Sequence, residues 1–210
     1  MNRRGADPAR PAQAAPADPW QGILEATKQV AGLLKASGHR FALAGSVAAY
    51  AHGVARRTVH DTDFCVLRED AADVVEVLRG AGLRVWSPPE DWLVKADFRG
   101  HPIDLIFDLS DRPVTAELLE RAQVLPVDSV WMPVLSPTDL MASQLTAFSE
   151  HHCDFGATLP VARTLRERVD WAAVRERCRG LPMADAFLFL LERLDVIGPE
   201  EPTLPLEVPG

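Results

Sequence analysis

The chain has 210 residues, 47% of them hydrophobic and 25% charged, which is enough to bury the core of one domain. Its 22 Lys and Arg against 30 Asp and Glu give a net charge of −8, which argues against a broad basic face for nucleic acid. No apolar run approaches the roughly 18 residues of a membrane-spanning helix, and no apolar stretch of a secretory signal follows Arg4. Three scattered cysteines without a CxxC pair predict neither a disulfide framework nor a zinc knuckle. Together these features predict a cytoplasmic protein with no membrane segment.

The composition predicts four segments along the chain. Residues 1–19 are rich in Pro and Ala without periodicity and are predicted as a disordered tail. Residues 198–210 carry closely spaced prolines and are predicted as a second disordered tail. Strand and helix patterns alternate over 20–135, whereas 136–197 is helical. The predicted fold class is α+β: a small mixed β-sheet with helices, followed by a C-terminal helical bundle.

The predicted elements follow from hydrophobic periodicity and from turn residues. Apolar residues between Ile23 and Leu34 share one face of a helix that ends at Ser37-Gly38. The strand at 102–109 alternates cleanly between apolar residues and a face that carries Asp104 and Asp108. The other predictions are strands or extended segments at 41–44, 61–67, 83–86 and 92–97, and helices at 46–51, 73–81, 136–150, 159–168, 170–178 and 183–195.

The first candidate functional feature is the turn Ala44-Gly45-Ser46 between a strand and a helix. Such a turn offers backbone N–H groups and a hydroxyl at a helix N-terminus, which suits a phosphate. Gly45 allows the backbone to approach a ligand closely. A Gly-Ser pair after a strand is more often a simple turn and helix cap, so the motif alone is weak.

The second feature is Asp61-Thr62-Asp63 at the start of the strand 61–67. Residues two apart in a strand share a face, so both carboxylates point the same way. Like charges held this close repel each other, and a cation between them relieves the repulsion. Mg²⁺ takes a few carboxylate oxygens together with substrate phosphates. The alternative is that Asp61 caps a turn and Asp63 is solvated.

The third feature is Asp104 on the strand 102–109. The hairpin-like return from 92–97 allows this strand to lie beside the Asp61–Asp63 pair. Asp108 shares its face but lies near the strand end, and it is the second choice.

The combination of these three features, over LAGSVAAYAHGVARRTVHDTDFCVL (43–67), resembles the nucleotidyltransferase superfamily with the polymerase-beta-like fold. The resemblance is to the bacterial branch of minimal, antibiotic and toxin-type nucleotidyltransferases. His52-Gly53 in the short helix matches that branch as well. The likeness covers about 40–110 and extends weakly to Ser136-Pro-Thr-Asp-Leu140.

The resemblance implies transfer of a nucleoside monophosphate from a nucleoside triphosphate to an acceptor hydroxyl by a two-metal mechanism. It makes Asp61, Asp63 and Asp104 the catalytic residues and the ligands of Mg²⁺ or Mn²⁺. The acceptor stays open among a small molecule, a tRNA and a protein.

The resemblance also implies that Gly45, Ser46 and Arg57 bind the nucleotide phosphates. Two positions depart from the family pattern. Arg57 and Thr58 are adjacent where relatives separate them, and Gln144 stands where relatives often carry a Lys. The second hypothesis is therefore a catalytically degenerate member of the fold that senses nucleotides or binds proteins.

Other candidates are weaker on chemical grounds. An Asp-x-Asp phosphatase of the haloacid-dehalogenase type places its nucleophile after an apolar strand, whereas here the strand follows Asp61. His151, His152 and Asp154 have the composition of a metal site, but adjacent residues do not converge on one ion. Only His151 and Asp154 have helical spacing, and their role stays open. Trp92 is expected to pack in the core or at the rim of the fold, with base stacking as the alternative.

Overall fold

The computed structural model describes residues 18–55, 60–110 and 112–199. Their strands form a mixed seven-stranded sheet in the order β3-β4-β5-β2-β1-β9-β8, with a separate ribbon of β6 and β7. The strands are β1 (Phe41–Ala44), β2 (Thr62–Val66), β3 (Arg84–Trp86), β4 (Leu93–Phe98), β5 (His101–Ile106), β6 (Asp108–Leu109), β7 (Arg112–Pro113), β8 (Gln123–Val127) and β9 (Val130–Val134). The helices are α1 (Pro19–Ala36), α2 (Gly45–Ala51), α3 (Ala71–Gly80), α4 (Ala116–Glu120), α5 (Pro137–Thr146), α6 (Phe155–Leu165), α7 (Trp171–Cys178) and α8 (Pro182–Arg193).

The central strands of the sheet form both parallel and antiparallel pairs. Strand β2 pairs antiparallel with β1 and parallel with β5, and β5 pairs antiparallel with β4. Strand β1 pairs parallel with β9. The mixed sheet followed by a helical part confirms the predicted α+β fold class.

Polar side chains set the start of several helices. Ser136 accepts a hydrogen bond from the backbone N–H of Asp139 at 3.1 Å, with Pro137 in the first turn of α5. Asp154 accepts from Ala157 at 2.7 Å and begins α6. The predicted helix 159–168 therefore begins four residues too late, because the Asp154 cap satisfies the first turn upstream of Pro160.

The two faces of β2 have different partners. The hydroxyls of Thr62 and Thr27 lie 3.1 Å apart, both buried, and Thr27 also donates to the carbonyl of Ile23 on α1. Because side chains alternate in a strand, Thr62 on the α1 face turns Asp63 to the opposite face. The polar bond of Thr62 fixes β2 against α1 and so fixes the direction of the carboxylate beside it.

The helices after β9 share the core of the sheet domain. Buried side chains from α1 through α8 form one hydrophobic cluster that spans the predicted boundary at residue 135. Within the helical part, Phe148, Phe155 and Phe187 pack with ring centroids 5.0 to 5.8 Å apart. The sheet and the helical region are thus packed as one unit.

The structure departs from the predicted elements in three further places. The predicted strand 102–109 ends at Ile106, because the chain then turns so that Phe107 bonds back to Trp92 and forward to Val114. The predicted helix 136–150 ends at Thr146. Between 112 and 135 the sequence predicts no element, yet β7, α4, β8 and β9 lie there.

Helix α1 begins at Pro19, the last residue of the segment predicted as the N-terminal tail, and Asp18 caps it. Residues 1–17 and 200–210 lie outside the described residues. Among the helices that the structure describes, none is long and apolar enough to cross a membrane.

Asp139, at the start of α5, joins two helices of the helical region to the end of α4. Its side chain is 2% exposed and accepts hydrogen bonds from Arg121 at 2.9 and 3.2 Å, from Arg177 at 2.5 Å and from Ser136 at 2.6 Å. Burial alone would raise the pKa of Asp139, but these hydrogen bonds outweigh it and hold the pKa below its ordinary value. The carboxylate thus ties α5 to α7 and to the end of α4.

Replacing Asp139 with Asn will lower the free energy of unfolding by about 2 kcal/mol. The variant leaves two guanidinium groups without their carboxylate, and their partial exposure keeps the loss below that of a fully buried pair. Urea unfolding at pH 7, followed by circular dichroism, measures the change. Asp128→Asn, which breaks the more exposed ion pair of Asp128 with Lys28, is the matched control with a smaller loss. Equal stability of Asp139→Asn and the wild type would contradict this role.

Candidate active site

Three aspartates meet on one face of the sheet. Asp63 on β2 lies beside Asp104 on β5 in the parallel register, and Asp61 precedes β2 by one residue. One carboxylate oxygen from each of the three lies within 4.8 Å of the others. Asp104 is buried, and Asp61 and Asp63 are half-buried. The structure therefore brings together the three carboxylates that the sequence singled out.

Lys95 on β4 completes this cluster, and sequence reasoning missed it. It is the cross-strand neighbour of Asp104, and its Nζ lies 3.0 and 2.8 Å from the two oxygens of that carboxylate. One positive charge thus stands against three negative ones. The extended pattern of residues 92–97 in the sequence indicates a strand that carries Lys95. Only the register of the β4–β5 hairpin, however, places Lys95 opposite Asp104.

The cluster raises the pKa of two of its carboxyl groups. Burial raises the pKa of Asp63 to about 7, and the charges of Asp61 and Asp104 act in the same direction. Burial also raises the pKa of Asp61, with Asp104 adding to the effect and Lys95 opposing it. The donor set is three carboxylates with hard oxygen atoms and excess negative charge, which fits Mg²⁺ or Mn²⁺.

Gly45 lies directly against Asp63. Its φ of 62° is in the left-handed region, and a Cβ at this position would overlap the Asp63 carboxylate. Ala44, the residue before it, is the cross-strand partner of Asp63. The glycine of the Gly-Ser turn is thus required by backbone conformation and by the space that the carboxylate occupies.

A cavity of about 420 Å³ opens at the cluster, and Gly45, Asp63, Trp92 and Gln144 are among its lining residues. Ser46 lines a neighbouring cavity of about 540 Å³ together with Trp20, Tyr50 and His60. Gln144 on α5 lines both cavities. Trp92 is 41% exposed, so it is a rim residue, as expected, that also faces the site.

Three other positions singled out in the sequence lie outside the aspartate cluster or outside the described residues. Arg57 lies outside the described residues, as does Thr58. The side-chain oxygen of Gln144 is buried, without a hydrogen-bond partner in the part of the chain that the structure describes. Asp108, the second choice from the sequence, lies outside the cluster and forms an ion pair with Arg68.

Residues 151–154 lead into α6 and are not in the group that could hold a metal ion. Asp154 caps α6, while His151 and His152 are exposed. Within residues 18–55, 60–110 and 112–199, the aspartate cluster is the group of three or more possible ligands that could hold a metal ion. The sequence left the roles of His151, His152 and Asp154 open, and the structure assigns a helix cap to Asp154.

His52, quoted in the resemblance, has a packing role. Its ring is buried, and Nε2 lies 2.8 Å from the carbonyl of Leu135. Arg168 donates to the His52 carbonyl at 2.7 Å. Burial lowers the pKa of His52, which keeps the ring neutral at pH 7. This residue attaches the end of α2 to Leu135 and to Arg168 in the helical region.

The fold and the acidic cluster define a nucleotidyltransferase-like domain, and comparisons with known proteins agree. The model of a family described as "Uncharacterised nucleotidyltransferase" matches residues 20–196, and the chain belongs to this family. No curated protein matches the chain.

Solved structures share the fold at low sequence identity. The solution structure of the antibiotic-resistance factor ANT(2'')-Ia has a TM-score of 0.58 at 11% identity, covering 83% of this chain and 96% of its own. Its crystal structure with adenylyl-2''-tobramycin gives 0.56 at 10% identity, covering 80% and 97%. An antigenic nucleotidyltransferase-like protein from Paracoccidioides brasiliensis gives 0.52 at 14% identity, covering 83% and 88%. These likenesses show the fold.

In the metal-free protein, stability will fall as the pH rises from 5 to 8. The folded protein retains a proton on Asp63 up to about pH 7, whereas the unfolded chain releases it near pH 4, so folding binds protons in this range. Melting temperatures in EDTA measure the slope. Asp63→Asn is expected to flatten the slope and to stabilise the protein at pH 8, whereas Lys95→Met is expected to steepen it. A wild-type slope that Asp63→Asn leaves unchanged would contradict the assignment.

Gly45→Ala will displace the Asp63 carboxylate and strain the backbone of the turn. A side chain at a strained positive φ usually costs about 1–3 kcal/mol, and we expect Gly45→Ala to lose more unfolding free energy than this because its Cβ also displaces Asp63. Urea unfolding measures this loss. Gly53→Ala is the control, because Gly53 also has a positive φ but a Cβ there meets no atom within 4 Å. If Gly45→Ala and Gly53→Ala lower the free energy of unfolding by the same amount, the contact with Asp63 adds nothing to the cost at Gly45.

Proposed function

We propose that the protein transfers a nucleoside monophosphate from a nucleoside triphosphate to the hydroxyl group of an acceptor. The observation that carries the proposal is the convergence of three carboxylates within 4.8 Å beside a glycine turn at the edge of a cavity. Membership in the nucleotidyltransferase family supports the reaction class. The complex of ANT(2'')-Ia with adenylyl-2''-tobramycin shows that its fold accommodates a nucleotidylated small molecule.

Asp61, Asp63 and Asp104 would hold Mg²⁺ or Mn²⁺. The bound cation would neutralise the charge of the carboxylates and phosphates and make the acceptor hydroxyl more acidic. The raised pKa of Asp63 means that cation binding displaces a proton, so the affinity for the metal increases with pH up to about 7.

The remaining parts of the site bind and orient the substrates. Gly45 and Ser46 present backbone N–H groups and a hydroxyl at the start of α2 to the phosphates. Asp104, oriented by the two contacts of Lys95, accepts the proton of the acceptor hydroxyl. The hydroxyl oxygen bonds to the α-phosphorus while the bond to the leaving pyrophosphate breaks.

Gln144 and Trp92 are proposed to position the nucleoside or the acceptor. The buried oxygen of Gln144 is an acceptor that lies between the two cavities, so it fits an N–H or O–H donor of a substrate. The half-exposed ring of Trp92 offers a flat apolar surface in the cavity of Asp63. Arg57 is proposed as a phosphate contact on the resemblance alone.

Metal-dependent binding of nucleoside triphosphates tests this function without knowledge of the acceptor. We expect at least one of the four ribonucleoside triphosphates to bind in calorimetric titrations with Mg²⁺ or Mn²⁺. The double variant Asp61→Asn, Asp63→Asn should weaken binding by about a hundredfold or more, because it removes two charges that hold the cation. Circular dichroism verifies that the variant is folded.

The two sequence hypotheses are separated by a second step. Acceptor candidates are added and the release of pyrophosphate is measured; Asp104→Asn should reduce that release by about a thousandfold. Nucleotide binding without transfer would favour the degenerate, sensing protein. A well-folded wild type that binds none of the four nucleotides with either metal would overturn the proposal.

A further inference from the structure

A third cavity, of about 210 Å³, adjoins the candidate active site, and three arginines line it. Arg112 comes from β7, Arg121 from the end of α4 and Arg177 from α7. The three side chains come from separate elements, so the tertiary fold creates this cluster. Leu109 and Ser143 line both this cavity and that of Asp63, so the two spaces are adjacent.

The cavity carries excess positive charge. Its lining has three arginines against the single carboxylate of Asp139, which leaves 3 − 1 = +2. Arg121 and Arg177 are held in place by Asp139 through hydrogen bonds of 2.9, 3.2 and 2.5 Å. The buried carboxylate therefore orients two guanidinium groups without neutralising all three.

Arg112 is the most available of the three. It is exposed, and it donates to the carbonyl of Arg177 at 3.3 Å. A guanidinium has five N–H donors, so a single long bond leaves donors for a ligand. Planar donors of this kind suit oxyanions such as phosphate, sulfate and carboxylate.

The lining residues show which of the three cavities adjoin one another. Gln144 lines both the cavity of Ser46 and that of Asp63, and Ser143 lines both the latter and the arginine cavity. The arginine cavity thus adjoins the cavity of Asp63 but shares no lining residue with the cavity of Ser46. A nucleotide whose phosphates contact Ser46 therefore leaves the arginine cavity open to a second substrate, the acceptor.

We infer that the arginine cavity binds an oxyanion group of the acceptor, so that the acceptor carries both a reacting hydroxyl and a phosphate or carboxylate. This inference rests on the proposed function. The excess positive charge repels polycationic acceptors and attracts anionic ones.

Titration with inorganic sulfate tests the cavity by itself. The metal-free protein in EDTA at low ionic strength is titrated and followed by nuclear magnetic resonance of the amide groups. The wild type binds sulfate, and Arg112→Gln weakens this binding by about tenfold, as expected for the loss of one charge-assisted contact. Arg163→Gln, an exposed arginine of α6 outside the cavity, is the matched control and leaves it unchanged. Absence of sulfate binding, or an equal effect of both variants, overturns the inference.

A second arm distinguishes the two sources of the oxyanion. The sulfate titration is repeated with Mg²⁺ and a saturating, non-hydrolysable nucleoside triphosphate. Retained sulfate binding supports the acceptor, whereas displacement by the nucleotide assigns the arginines to its polyphosphate and overturns the inference. Failure of the wild type to bind any nucleotide defeats the proposed function and the acceptor assignment with it, while the first arm still reports on the cavity.

Discussion

Repulsion among three carboxylates is the constraint around which the site is organised. Asp63 and Asp104 are direct neighbours on parallel strands, and Asp61 lies within reach of both. Apolar packing places them partly out of water, so the metal-free site is destabilised at neutral pH. The hydrophobic core shared by the sheet and the helical region supplies the stability that offsets this cost.

Three features of the surrounding structure hold the carboxylates together despite this repulsion. Lys95 holds both oxygens of Asp104, and Gly45 leaves room for the carboxylate of Asp63. On the other face of β2, Thr62 bonds to α1 and keeps the strand from rotating. An oxygen cluster held in this way is preorganised for a hard cation, because little of the protein has to move when the ion binds.

The helical region contributes a second electrostatic feature of opposite sign. Asp139 stabilises the packing of α5 and α7 and at the same time orients two of the three arginines that line the cavity beside the site. The aspartate cluster is negatively charged and the arginine cavity beside it is positively charged, so the two ends of the cleft differ in charge. On this view the proposed acceptor is oriented with its anionic group away from the aspartates.

The sequence by itself determined the α+β class, most helices and the three aspartates, because these depend on local periodicity and on a short motif. It did not predict the elements between 112 and 135, the end of β5 at Ile106 or the early start of α6. Only the tertiary structure decided that Lys95 lies opposite Asp104 and that Arg112, Arg121 and Arg177 share one cavity. The physical reason is that strand register and helix packing join residues far apart in sequence, and periodicity carries no information about such pairs.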